Sequence, residues 1–383
     1  MKYDFDKTID RCATNSYKWD SAPEGVLPMW VADMDFRTAP AIIDALQKRV
    51  AHGIFGYTRV PDAYYDAVTS WFSRRHGWNI DREWIIYTSG VVPAVIKALT
   101  VPGDKVIVQT PVYNCFFSSI RNNGCEIVSN PLRRTADTYE MDFDALERCA
   151  ADPRAKVMLL CNPHNPAGRV WTPDELTRLG NICLRNGVTV VADEIHCELV
   201  YQGFKYTPFA SLSDAFLHRS VTCVSPSKAF NIAGLQIANI VAFDNDLRSR
   251  IDKAININEV CDVNPFGVAA TIAAYNEGEE WLNQLVDYLH GNYEAMAEFC
   301  RRELPEFPIT RLEGTYLVWM DCSSLGMPSD ALEHALLDDA HLWLNAGTMY
   351  GAEGEGYMRW NIACPRSVML DGLNRFLNFV RSR

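Results

Sequence analysis

The sequence predicts an α/β protein whose larger part is a doubly wound, mainly parallel sheet, joined to a smaller α+β unit. Three observations predict it. Short apolar runs that end in small or polar residues alternate with amphipathic stretches, the pattern of strands buried between covering helices. One intervening helix is signalled at both ends, with Thr172 as N-cap, Pro173 in the first turn, Glu175 closing a capping box and Gly187 past the end. Beyond Pro305 the chain changes character, and two strands, each followed by a helix, read as a second unit.

Taken in order, about the first 45 residues fit neither the wound sheet nor a linker. They contain the irregular run Leu27-Pro28-Met29-Trp30-Val31-Ala32-Asp33-Met34-Asp35-Phe36, then a helix opened by Thr38 and Pro40. Strands are expected at 84–87, 105–109, 156–161, 189–192, 220–225 and 237–243. The helix after Gly90 is expected over 94–100, before Pro102-Gly103-Asp104. A long helical pattern from Glu279 to Leu304 stops at Pro305, and strands follow at 315–321 and 356–363. No repeat, low-complexity stretch or charge block interrupts this order.

Nearly half of the 383 residues are apolar, enough to bury a large core, and ~100–200 residues per domain gives two or three units. The balance of 36 basic and 48 acidic side chains, a net −12, argues against a nucleic-acid or anionic-membrane surface and for a small-molecule ligand. The opening MKYDFDKTID has no basic n-region followed by an apolar run, and no later run approaches the ~18–20 apolar residues that cross a bilayer, so a cytoplasmic location is expected. The cysteines form no Cys-x-x-Cys pair, and several, such as Cys161, Cys183 and Cys223, sit in apolar runs, which reads as free core thiols. With no His-Glu-x-x-His helix, and no further ligands at metal-like spacing around Asp193, Glu194 and His196, no metal is expected.

In a wound sheet, ligands bind beyond the carboxyl ends of the strands. Those ends carry Ser89-Gly90-Val91-Val92, Asn162-Pro163-His164-Asn165-Pro166-Ala167-Gly168, Asp193-Glu194-Ile195-His196 and Ser225-Pro226-Ser227-Lys228. A lysine just after a strand is pointed inward, and a partly desolvated ammonium loses pKa, which frees its amine to condense with an aldehyde. On its own such a lysine is more often a solvated surface residue. Asp193 changes that reading, because a carboxylate after the buried run 188–192 needs a cationic or hydrogen-bonding partner, and a pyridinium N–H is one. Gly90, Val91 and Val92 open a helix whose N–H groups suit a phosphate, with the hydroxyls of Ser225 and Ser227 beside them. Two prolines and Gly168 make Asn165 a fixed side-chain donor, and Tyr113 can lie flat on an aromatic ring.

On these residues the sequence resembles the fold type I pyridoxal-phosphate enzymes of the class I/II aminotransferase superfamily, nearly end to end. The resemblance implies a seven-stranded sheet and roles residue by residue. Lys228 forms the Schiff base, Asp193 pairs with the pyridine nitrogen, Asn165 bonds the ring hydroxyl and Tyr113 stacks on the ring. Gly90, Val91, Val92, Ser225 and Ser227 hold the phosphate. Arg359, in Met358-Arg359-Trp360-Asn361, grips the substrate α-carboxylate in a two-pronged bond. Tyr57 reaches the phosphate of a neighbouring subunit, so a homodimer with shared sites is implied.

Three departures from the usual aminotransferase pattern point to one branch. Gln236 stands where many have a phosphate-binding arginine, and His196 where a ring-hydroxyl-binding tyrosine is common. The run Pro28–Phe36, with Val31 and Ala32 expected at the substrate, is similar to the opening of bacterial cystathionine β-lyases. The helix after Gly90 is about one turn shorter than in relatives. The resemblance implies a carbon–sulfur β-lyase; a transaminase using the same Lys228 and Asp193 is the alternative. A regulatory role is a further reading, and a nicotinamide dehydrogenase is disfavoured because no Gly-x-Gly-x-x-Gly follows the first strand. The expected division is a large cofactor-binding domain over 47–275, with 1–46 and 276–383 forming the small one.

Overall fold

The computed structural model describes residues 2–257 and 262–383. Seven strands form the main sheet: β1 Ile85–Thr88, β2 Lys105–Val108, β3 Glu126–Ser129, β4 Ala155–Cys161, β5 Thr189–Asp193, β6 Ser220–Val224 and β7 Ala238–Val241. Their spatial order is β1-β7-β6-β5-β4-β2-β3, and every pairing is parallel except those of β7, which runs antiparallel to both neighbours. The count of seven strands, mainly parallel, is the one that the resemblance implies.

Alternation along the strands explains the apolar runs. Met158 and Leu160 of β4 face one covering layer, while Val157, Leu159 and Cys161 face the other, with Val106, Val108 and Val191 beside them. With both faces covered, each inner strand reads as unbroken apolar sequence. The edge strand β3 is different. Its four residues are half-buried or exposed, so no apolar run marks it, and the residue pattern alone gave six strands where the sheet has seven.

The helices include α1 Pro40–His52, α2 Asp62–His76, α3 Val92–Leu99, α4 Pro173–Arg185, α5 Pro265–Glu277, α6 Glu279–Glu303 and α7 Arg366–Arg381. The capping box of α4 is formed as its sequence prescribes: Thr172 Oγ1 accepts from the Glu175 N–H at 3.2 Å, and Glu175 Oε2 accepts from the Thr172 N–H at 2.9 Å. Two starts differ from expectation. The N-cap of α1 is Ala39 rather than Thr38, with no side-chain bond, so Pro40 alone presets that turn. α3 begins at Val92 rather than Ala94, because Pro93 fits the first turn, where its missing N–H has no partner to lose.

A smaller antiparallel sheet of β8 Leu317–Asp321, β9 Asn345–Ala346 and β10 Tyr357–Asn361 is ordered β8-β10-β9. The two-residue β9 is too short to leave a period in the sequence. The irregular run near the start is tied to this end of the molecule, since Leu27–Pro28 pairs in parallel with Leu342–Trp343. One hydrophobic cluster joins that run to α2, α5, α6, α7 and the small sheet. Among the described residues no helix is long and apolar enough to cross a membrane.

Candidate active site

Because β4, β5 and β6 are parallel neighbours, the segments 162–168, 193–198 and 225–228 leave the sheet side by side. The first is closed by Gly168, whose φ is +71°; a Cβ there would stand 2.7 Å from Leu312 Cδ1, so both the backbone and the space require glycine. Two connected cavities lie beyond these ends. An inner one of about 250 Å³ is lined by Val91, Val92, Tyr113, Asn165, Asp193, His196 and Lys228. An outer one of about 850 Å³ is bounded by Trp30, Val31, Asp33, Met349, Tyr350 and Arg359. Ala32, Tyr113, Cys115 and Lys228 border both.

Lys228 stands at the junction, its Nζ donating to the Ala32 carbonyl at 2.8 Å. Burial and the Arg359 charge push its ammonium below the ordinary lysine range, while Asp33 and Asp193 push back. Asp193 ends β5 and is buried; that burial raises its carboxyl to about 6, against the Ile195 N–H and the Lys228 charge. The carboxylate accepts one long bond, from Ile195 N at 3.3 Å.

Arg359 projects from the central strand of the small sheet, opposite Trp319 and Asn345. It is buried, its Nη1 donates to Asn165 Oδ1 at 3.2 Å, its Nη2 to the Trp30 carbonyl at 2.6 Å, and its plane lies 4.8 Å over the Tyr350 ring. Its Nε has no partner among the described residues. Two of five N–H donors are thus committed, and a carboxylate is the natural taker for others. His196 is buried too; burial, then the Lys228 and Arg359 charges, push its ring down to about 3, so it is neutral, and its Nδ1 is likewise unpaired among the described residues. Tyr113 is half-buried on the cavity wall, its phenol pushed up by burial and by Cys115.

The structure thus gathers Lys228, Asp193, Asn165, His196, Tyr113, Val91, Val92, Val31, Ala32 and Arg359 around the two cavities. Gly90, Ser225 and Ser227 lie off the lining. The Gly90 N–H is held by Thr88 Oγ1 at 3.2 Å. Ser225 gives its hydroxyl hydrogen to the Ile237 carbonyl at 2.6 Å and accepts the Ser227 N–H at 3.1 Å, so as placed it has no hydrogen left for a phosphate; the Ser227 hydroxyl has no partner among the described residues. Tyr57 is almost wholly exposed on this chain, beside exposed Ile54 and Phe55. The sequence reading missed Tyr350 and Asn345, which brace Arg359 and Trp30, and Tyr316, whose hydroxyl donates to the Ala32 carbonyl at 3.0 Å. None of them follows a strand of the main sheet, so the rule that found the others passed them by.

The donor set fits pyridoxal phosphate. His196 with its unpaired Nδ1, the under-satisfied Asp193 carboxylate and the Lys228 amine line one slot whose walls include the apolar Val91, Val92, Phe116 and Ile195. Comparison with known proteins agrees with this geometry. The family model for aminotransferase class I and II matches residues 25–376. "Cystathionine beta-lyase PatB" of Bacillus subtilis (strain 168) is 45% identical over 379 residues, covering 97% of this chain and 98% of its own. Cystalysin of Treponema denticola, whose crystal structure contains pyridoxal 5'-phosphate, superposes with a TM-score of 0.97 at 35% identity over the full length of both chains. A pyridoxal-phosphate-bound C-S lyase of Staphylococcus hominis superposes at 0.93 with 34% identity, again over both full lengths. The chain belongs to the class I and II aminotransferase family.

Proposed function

We propose that the protein is a pyridoxal-phosphate-dependent carbon–sulfur β-lyase that converts cystathionine, or a cysteine-type thioether, to pyruvate, ammonia and a thiol. The observation that carries this reading is Lys228 at the mouth of the slot, between Asp193 on one side and Arg359 on the other, with an open chamber beyond. Similarity to the β-lyases and C–S lyases named above supports elimination as the outcome.

In the bound state Lys228 would carry the cofactor, Asp193 would face its ring nitrogen, Asn165 and His196 its hydroxyl side, Tyr113 its face, and the start of α3 with Ser227 its phosphate. When bound, the cofactor supplies an electron sink for the α-carbon. The chain's own residues do the rest. Arg359 fixes the α-carboxylate, and Asn165 and the Tyr350 ring fix Arg359. Lys228, held toward its neutral form, takes the α-proton at Nζ. Asp193, kept anionic by a positive partner, holds a proton on the ring nitrogen. The outer chamber receives the sulfur-bearing leaving group. The reading is tested by incubation with cystathionine and no keto acid. Steady thiol and pyruvate release is expected; glutamate formation from alanine plus 2-oxoglutarate, with no thiol from any thioether, would favour the transaminase instead.

The same reading makes the enzyme a cytoplasmic homodimer, with Tyr57 completing the partner's site. Lys228→Ala and Tyr57→Phe homodimers should each be impaired, and subunit exchange should restore activity through heterodimers that hold one intact site. Exchange without recovery would count against sharing. We also propose a large domain carrying the main sheet and a small one made of both chain ends. The limits expected at 46/47 and 275/276 fall inside α1 and α5, so the division runs along the ends of these helices.

A further inference from the structure

The run 29–36 crosses the outer chamber as a strap held by side chains from distant parts of the chain. Arg359 and Asn345 both donate to the Trp30 carbonyl, Asn361 to those of Val31 and Asp33, and Asn231 to those of Met34 and Phe36. The strap's own charges are fixed from behind. Arg11 grips the Asp33 carboxylate with both nitrogens, at 3.2 and 2.7 Å, and reaches Asp35 at 2.7 Å. Lys18, which is buried, takes the other Asp35 oxygen at 2.8 Å. Asp33 therefore enters the chamber wall as a carboxylate that cannot swing away, one residue beyond the carbonyl that receives Lys228 Nζ.

We propose that Asp33, fixed by Arg11, is a positioning residue that sets the proton affinity of the Lys228 nitrogen as a second counter-charge beside Asp193. The charged and titratable groups facing that nitrogen are Asp193 and His196 from the end of β5, Arg359 from β10, Tyr113 from the turn before the 115–122 helix and Cys115 from its first position, Tyr316 just before β8, whose hydroxyl shares the Ala32 carbonyl, and Asp33 from the strap. His196 is neutral, so Arg359 opposes the two carboxylates. Once Asp193 is matched to a ring N–H, Asp33 is the carboxylate left to balance Arg359. Arg11 holds the field of Asp33 partly neutralised, which gives the pair two handles of opposite sign.

This inference rests on the cofactor reading, and its test separates the two. The Schiff-base absorbance of the holoenzyme is titrated against pH, and in the cofactor-free protein the acetylation rate of Lys228 is followed across pH by peptide mass. Asp33→Asn removes a negative charge and leaves Arg11, so both midpoints should fall by roughly half a unit to one unit. Arg11→Gln leaves Asp33 without its two-pronged partner and with the Lys18 ammonium 3.8 Å away, so both should rise by a smaller amount, while Arg11→Lys should restore the unsubstituted value. Lys18 still anchors the strap through Asp35 in every variant. A purely structural role would displace the midpoints in one direction or change only cofactor retention. Equal-signed shifts, or none, overturn the proposal. A colourless unsubstituted enzyme whose acetylation midpoints nonetheless split in opposite directions would remove the cofactor reading and leave this one standing.

Discussion

Lys228→Ala is expected to abolish visible absorbance and to lower turnover by at least ~10⁴-fold, the scale seen when a covalent nucleophile or its base is removed. The loss follows from placement. Lys228 is the lysine at the junction of the two cavities, and it serves both as attachment point and as proton acceptor. The fold should survive, since the side chain makes a single hydrogen bond and the Ala32 carbonyl it leaves still accepts from Tyr316. Far-ultraviolet circular dichroism, cofactor stoichiometry and single-turnover assays check the three parts separately. A variant that keeps the Schiff-base band would place the attachment elsewhere.

The second large effect is at Asp193, and it has opposite signs for activity and for stability. In the holoenzyme Asp193→Asn removes the charge that keeps the ring nitrogen protonated, and kcat/KM should drop on the order of 10²–10³-fold, as for other preorganised electrostatic partners. In the cofactor-free protein the same change should stabilise. The folded carboxyl has its pKa raised from 3.8 to about 6, so between those values the folded state binds more protons than the unfolded one. Stability then falls as pH rises through that window and stays lowered above it, by about 3 kcal/mol at most. Asparagine has no such proton to lose. Urea midpoints at pH 4 and pH 8 should diverge for wild type relative to the variant, with the variant ahead at the higher pH. Equal stabilities at both would mean that Asp193 is better solvated than its burial implies.

Much of this was legible in the sequence, for a specific reason. Parallel strands covered on both faces announce themselves as apolar runs, and the residue after each run falls at the ligand-binding edge, so Asp193, Asn165 and Lys228 could be picked out by position. The α4 capping box is equally local. What was not legible depends on distance. Arg359 could be named through resemblance, because nothing around it predicts that it meets Asn165 from a different sheet. Tyr350, Asn345 and Tyr316 act by bracing other groups, and bracing leaves no period. Ser225 illustrates the converse, since its neighbourhood to Lys228 in sequence said nothing of the Ile237 carbonyl that takes its hydrogen.

The strap over the outer chamber also has a consequence for the order in which the molecule is made. Its carbonyls are seated by Asn231, 197 positions on, and by Asn345, Arg359 and Asn361, so a segment translated near the beginning waits for residues made as many as 330 positions later. Until then its apolar members, Met29, Met34 and Phe36, lack the small-sheet and α7 residues of the cluster they belong to. Contacts of such long sequence separation close slowly and leave sticky surface open meanwhile. A ribosome-bound chain halted before β10 should therefore have its main sheet assembled and its strap open to protease, and release of a chain that includes β10 should shut that cleavage off.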